Sequence, residues 1–161
     1  MTQSPRFAPF KLAPDVTKAM LAVEAALGET GIERGLGELV RLRASQINGC
    51  AACIFMHVQD ARSHGEAELR LQMLNAWRES SLFTDRERAA LAWTEILTRL
   101  PEHGVPGDVY DRVRTQLSEK ELSDLTFSVM AINAWNRLNV GFTTVPGSAD
   151  KAYGLDKAGL E

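Results

Sequence analysis

The chain reads as a single all-α, multi-helix domain, on three observations. Apolar residues recur at helical spacing almost throughout, and no segment shows a convincing strand-like alternation. Two capping boxes, Thr84 with Glu87 and Ser118 with Glu121, mark helix starts. No linker or repeat of fixed period divides the 161 residues, a length that buries one core.

Residues 1–10 read as an N-terminal extension. Pro14-Asp15 then opens a helix whose stripe is Val16, Met20, Val23 and Leu27, ending near Gly28 or Gly31. A second helix runs from about Ile32 to Ile47 through Leu36, Leu39, Val40 and Leu42. Asn48-Gly49 breaks the chain, and a third helix follows from Cys50 to Ser63, stopped by His64-Gly65. Glu66 to Trp77 makes a fourth. The first capping box starts a helix from Asp85 to about Leu100, ended by Pro101 and Gly104. Pro106 starts a short one. The last long helix carries Leu122, Leu125, Phe127, Val129, Met130, Ile132, Trp135 and Leu138, apolar on more than one face. Either it is a central core helix or part of it is covered by another subunit. The domain thus spans 11–141, and the Gly-, Ser-, Thr- and Pro-rich residues 142–161 read as a tail.

Composition narrows the function. Apolar residues make up 45% and charged residues 24%, as in ordinary globular proteins. A net charge of −3 gives no electrostatic reason to expect nucleic acid or an anionic membrane as partner. The N-terminus shows no signal-peptide pattern and no window is apolar enough to span a bilayer, so the expected compartment is the cytoplasm. In a reducing compartment, a lone Cys-x-x-Cys points to catalysis or metal binding rather than a structural staple.

Cys50 and Cys53 are the only cysteines, and His57 follows four residues after the second. On a helix, positions i, i+3 and i+7 share a face, which places both thiols near the helix start with an imidazole one turn beyond Cys53. A thiol has a free pKa of about 8.5 and must ionise to act as a nucleophile. A helix N-terminus favours the thiolate, and an imidazole can accept the thiol proton or hold the thiolate by charge. A second thiol three residues away captures a sulfenic acid as a disulfide, which a dithiol reopens. That cycle needs no metal or flavin cofactor. Glu38, on the preceding helix, is flanked by Leu36, Leu39 and Val40. The Asn48-Gly49 break lets this helix fold back, so that an inward Glu38 can pass protons to the cysteine and histidine stripe through a bridging water.

Glu38, eleven intervening residues, Cys50-Ala-Ala-Cys53, three more and His57 together resemble the signature of the alkylhydroperoxidase D-like (AhpD-like) branch of the carboxymuconolactone decarboxylase superfamily. The Leu-Val-Arg-Leu-Arg-Ala-Ser-Gln-Ile-Asn-Gly-Cys and Ala-Ile-Asn-Ala-Trp-Asn-Arg-Leu-Asn segments are similar too, and the likeness covers roughly residues 10–145. It implies an all-helical fold, assembly into dimers, trimers or hexamers, thiol peroxidase activity and reduction by a lipoyl protein or a thioredoxin-like donor. It also implies that Cys53 attacks, Cys50 resolves, and His57 with Glu38 relays protons. The helix-end argument taken alone favours Cys50 as the more acidic thiol, whereas the imidazole favours Cys53. Some members carry a second histidine between the cysteines; this chain has Ala52 there.

Other readings of the same residues exist. The two cysteines, His57 and Glu38 could ligate zinc, but no second Cys-x-x-Cys or His-x-x-x-His supplies the usual partner pair. His64 fits a helix C-terminus and His103 a surface turn. Trp77, Trp93 and Trp135 fall on apolar faces, one of them able to wall a peroxide pocket. Asn133, Asn136 and Arg137 would satisfy buried backbone or bridge subunits. The alternative function for the same dithiol is a non-peroxidatic redox sensor or disulfide carrier.

Overall fold

The computed structural model describes residues 4–153 and residue 155. Every regular element among them is helical: α1 Pro9–Leu12, α2 Pro14–Gly28, α3 Arg34–Asn48, α4 Ala51–Ser63, α5 Glu68–Met73, a 3-10 turn Leu74–Ala76, α6 Asp85–Thr98, α7 Gly107–Arg114, α8 Glu119–Gly141 and α9 Asp150–Tyr153. Both capping boxes form: Thr84 accepts from the Glu87 N–H and Ser118 from the Glu121 N–H, and each glutamate closes the box in return. No described helix is long and apolar enough to cross a membrane.

The centre of the molecule is α3, which packs against α4, α6 and α8. Its Leu36 and Val40 join Trp93, Val113, Leu125 and Val129 in one cluster; its Leu39 and Leu42 join Leu71, Leu74, Trp77, Phe83 and Leu91 in another. Ala44 lies in a third with Cys50, Cys53 and Ile132, against which Trp135 packs. A helix enclosed on so many sides buries even its polar residues, among them Glu38 and Ser45. That is what turns Glu38 inward.

α8 shares the central position with α3, packing against α2, α3, α4, α6 and α7. α8 buries Leu122, Leu125, Val129 and Ile132 but leaves Phe127 and Met130 exposed. The stripe expected to bury α2 needs correction. Only Leu27 of its four residues is buried, while Val16 is 63% and Val23 46% exposed. α2 rests on α1 and α8 along one edge, and no described element covers its outer face.

The ends of the domain are tied down within the described residues. The Arg6 N–H donates to the Phe142 carbonyl at 3.1 Å, and Phe7 packs on Phe142. Of the segment read as a tail, the Gln59 amide donates to Asp150 on α9 and Leu155 is buried; residues 154 and 156–161 lie outside the described residues.

The joint between α3 and α4 sets the site. Gly49 takes φ +66°, its N–H reaching the Gln46 carbonyl while the Cys50 N–H reaches that of Ser45, a Schellman ending that satisfies the last carbonyls of α3. A Cβ at Gly49 would meet nothing within 4 Å, so its cost is conformational alone. Gly49→Ala is expected to lower unfolding free energy by about 1–2 kcal/mol in chemical denaturation. An unchanged midpoint would show that the joint tolerates a left-handed alanine.

Behind this joint sits a polar layer. The Asn48 amide donates to the side-chain oxygens of Asn133 and Asn136, the Asn136 amide donates to Ser45 Oγ, and that of Asn133 to Thr98 Oγ1 and the Val129 carbonyl. Asn133 and Asn136 therefore bond mainly side chains of α3 and α6, locking α8 to the α3–α4 joint.

Candidate active site

Cys50 is the N-cap of α4 rather than its first residue, and the Cys53 N–H donates to its Sγ at 3.3 Å. Cys53 is the third residue of the helix, so both sulfurs sit at the positive end of the α4 dipole. They are joined as a disulfide with Cα atoms 5.3 Å apart, within the range such a bond needs. Cys50 and Cys53 are 1% and 2% exposed, beneath a cover made by Ala44, Ile132 and Trp135. An outside thiol must displace part of that cover to touch either sulfur.

His57 lies one turn beyond Cys53 and is buried. Its Nδ1 is 2.8 Å from Glu38 Oε2, a direct contact across the α3–α4 interface where the sequence suggested a bridging water. The carboxylate can only accept, so Nδ1 donates to it and Nε2 is the ring nitrogen left for other partners. Nε2 is itself buried and without a hydrogen-bond partner among the described residues. Such an orphaned atom in a native fold marks a place where something else binds or reacts.

Glu38 is held below the usual carboxylate range. Burial pushes its pKa up, but the His57 hydrogen bond, the charges of His57 and Arg41 and the Arg41 hydrogen bond at 3.1 Å more than offset this. Arg41 also approaches Glu24 at 3.8 Å, and Glu24 accepts from the Trp135 indole at 2.8 Å. Glu38 is thereby linked, through Arg41 and Glu24, to the tryptophan that packs against the cysteine cluster. On its other side Glu38 lines a cavity of about 330 Å³ together with Ser128, whose buried hydroxyl has no partner among the described residues. Polar cavities of this kind hold water.

One further residue reaches the dithiol. The Asn139 amide of α8 donates to Cys53 Sγ at 3.4 Å, supplying a donor near the sulfur pair, where Ala52 supplies none. The signal for it is periodic: Asn133, Asn136 and Asn139 recur at intervals of three, one face of a helix. His64 caps carbonyls, with Nδ1 2.8 Å from the Asp60 oxygen, and His103 is exposed in a turn. Trp77 and Trp93 are core, and Arg137 reaches the Asn133 carbonyl within α8. Among the described residues no group of three or more His, Cys, Asp or Glu could hold a metal ion.

The sequence profile of the carboxymuconolactone decarboxylase family matches residues 14–95. The uncharacterized protein YdfG of Bacillus subtilis is 39% identical over 137 residues, covering 85% of this chain and 93% of the relative. The chain belongs to the carboxymuconolactone decarboxylase family. Its AhpD-like branch is indicated by solved structures. A protein of unknown function from Agrobacterium tumefaciens, proposed to be the antioxidant defence protein AhpD, superposes with a TM-score of 0.86. It is 38% identical and covers 89% of this chain and 98% of its own. An uncharacterized peroxidase-related protein with an AhpD core from Ralstonia eutropha shares the fold at 19% identity, with a TM-score of 0.77 over 87% of this chain and 75% of its own. For this AhpD-like chain, family and disulfide together indicate a peroxidase-like redox role.

Proposed function

We propose that the protein is a thiol peroxidase that reduces hydrogen peroxide or organic hydroperoxides through a Cys50/Cys53 dithiol-disulfide cycle. The observation that carries this reading is the Nε2 of His57, without a partner among the described residues and one turn from Cys53, on a ring fixed from behind by an ionised Glu38. In the reduced protein Nε2 takes the Cys53 proton, and Glu38 stabilises the imidazolium. The Cys53 thiolate attacks the outer peroxide oxygen; the S–O bond forms, the O–O bond breaks, and the departing alkoxide takes the proton from His57. Cys50 then displaces water from the Cys53 sulfenic acid, closing the disulfide. Two electrons from an external dithiol, a lipoyl protein or a thioredoxin-like donor, reopen it. The α4 dipole and the Asn139 amide both favour negative charge on Cys53.

Assembly into a dimer, trimer or hexamer belongs to the same proposal. It would cover the outer face of α2 and exposed Phe127 and Met130 on α8. No metal or flavin is invoked at any step.

The test is peroxide consumption with hydrogen peroxide and an alkyl hydroperoxide, using dihydrolipoamide, a thioredoxin-type protein and glutathione as donors. Saturable consumption with a dithiol donor is the expected result. Disulfide exchange without peroxide loss overturns the peroxidase reading and leaves a disulfide carrier or sensor.

A further inference from the structure

A second cavity among the described residues lies away from the dithiol. It measures about 660 Å³ and is lined by residues of α3, α6 and α7 and by Trp77; none of Glu38, Cys50, Cys53 and His57 lines it. Its size falls within the range of small-molecule sites. The floor is apolar, from Ile47, Ala89, Ala92, Ile96, Val109 and Val113. Arg43, Arg78, Arg88, Arg99 and Arg112 line it against Asp85 and Glu95, with Asp108 pairing Arg112 at 2.9 Å, a formal charge of +2 on a chain whose total is −3. Local charge of sign opposite to the whole is a field shaped for an anion.

These acids leave two of the five arginines, Arg88 and Arg99, without a carboxylate among the described residues. Glu95 is already shared, accepting from Arg43 at 2.7 Å, Arg78 at 2.7 Å and the Trp77 indole at 2.9 Å. Arg88 is half-buried and has no carboxylate partner among the described residues. Its Nη1 donates to the carbonyls of Trp77 and Ser80 and its Nη2 to that of Arg78, which leaves Nε–H and one Nη2–H unused. The three carbonyls fix the guanidinium in place beside the Trp77 ring, 5.4 Å from its centroid. Arg99, exposed at the end of α6, likewise makes no ion pair among the described residues. A half-buried, immobilised cation with free donors and no counter-charge is stabilised by an incoming anion.

We propose that this cleft binds a small carboxylate with an apolar body, its head on Arg88 and its chain or ring on the floor of Ile47, Ile96 and Val109. The site does not depend on the peroxidase reading. The probe is octanoate, titrated calorimetrically into the full chain, with octanol and octylammonium as matched neutral and cationic controls. Octanoate is expected to bind saturably at one site per chain, weakening as salt is raised, and both controls about tenfold or more weaker. Arg88→Gln and Val109→Glu, which sets a like charge on the floor, should each weaken octanoate by about tenfold. Val109 is half-buried in the first turn of α7, where an acid suits the helix dipole, so its variant keeps the test valid even where Arg88→Gln loosens the Trp77 turn. Absence of saturable binding overturns the proposal. So does octanol binding as tightly as octanoate, or undiminished octanoate binding by Val109→Glu.

Discussion

Cys53→Ser is expected to reduce peroxide turnover to the uncatalysed rate, whereas Cys50→Ser should still react once with peroxide and stop at a sulfenic acid on Cys53. The two substitutions differ because the sulfurs have different surroundings. Cys53 has His57 one turn away and the Asn139 amide at 3.4 Å; Cys50 caps the helix and receives the Cys53 N–H. Neither change should unfold the site. Serine is a stronger N-cap than cysteine, so Ser at position 50 keeps the helix start. A serine hydroxyl at 53 can accept from Asn139 as the sulfur does. Mass spectrometry after one equivalent of peroxide and a sulfenic-acid trap reads the outcome. Trapping on Cys50 in the Cys53→Ser protein would reverse the order of the thiols. Unchanged turnover in both variants would remove the dithiol from the reaction.

Glu38→Gln should lower peroxide turnover by about 10²-fold, the low end for loss of general acid–base assistance. The amide still accepts from His57 Nδ1 and keeps the ring in place, but it no longer balances an imidazolium. The same substitution has a pH signature in stability. Because the folded-state carboxyl is held below its unfolded value of about 4.3, its ionised form stabilises the native state above that pH; the contribution is lost as pH falls through the lower folded value. Wild type should therefore exceed the variant by roughly 1–3 kcal/mol at pH 7, and the gap should close on acidification below about pH 4. Denaturant unfolding at several pH values measures it. A gap independent of pH would mean that Glu38 acts through packing rather than charge.

How much of this was legible in the sequence depends on whether a signal is local. The capping boxes at Thr84 and Ser118, the break at Asn48-Gly49 and the spacing of Cys50, Cys53 and His57 are short-range patterns, and the helices they predict are present within a residue or two. The inward turn of Glu38 was readable from its apolar neighbours. Its direct contact with His57 was not, because that distance depends on how closely α3 and α4 pack. The stripe on α2 misled for a related reason. Periodicity gives a helix an apolar face without saying what covers it, and in the single chain little does. Asn139 was missed because it reaches the site from 86 residues away in sequence. The arginine-lined cleft drew its residues from four separated segments, each an ordinary charged helix when read alone.

The acid, the sulfurs and the amide that touches Cys53 are carried by α3, α4 and α8 respectively, with a single left-handed glycine setting the angle between the first two. Transplanting the Cys-x-x-Cys helix into another scaffold would therefore carry over the thiols and the imidazole but strand the imidazole without its anchor. An excised peptide spanning Cys50 to His57 should behave as a plain dithiol, and whatever reactivity the intact protein has beyond that is a property of the three-helix junction.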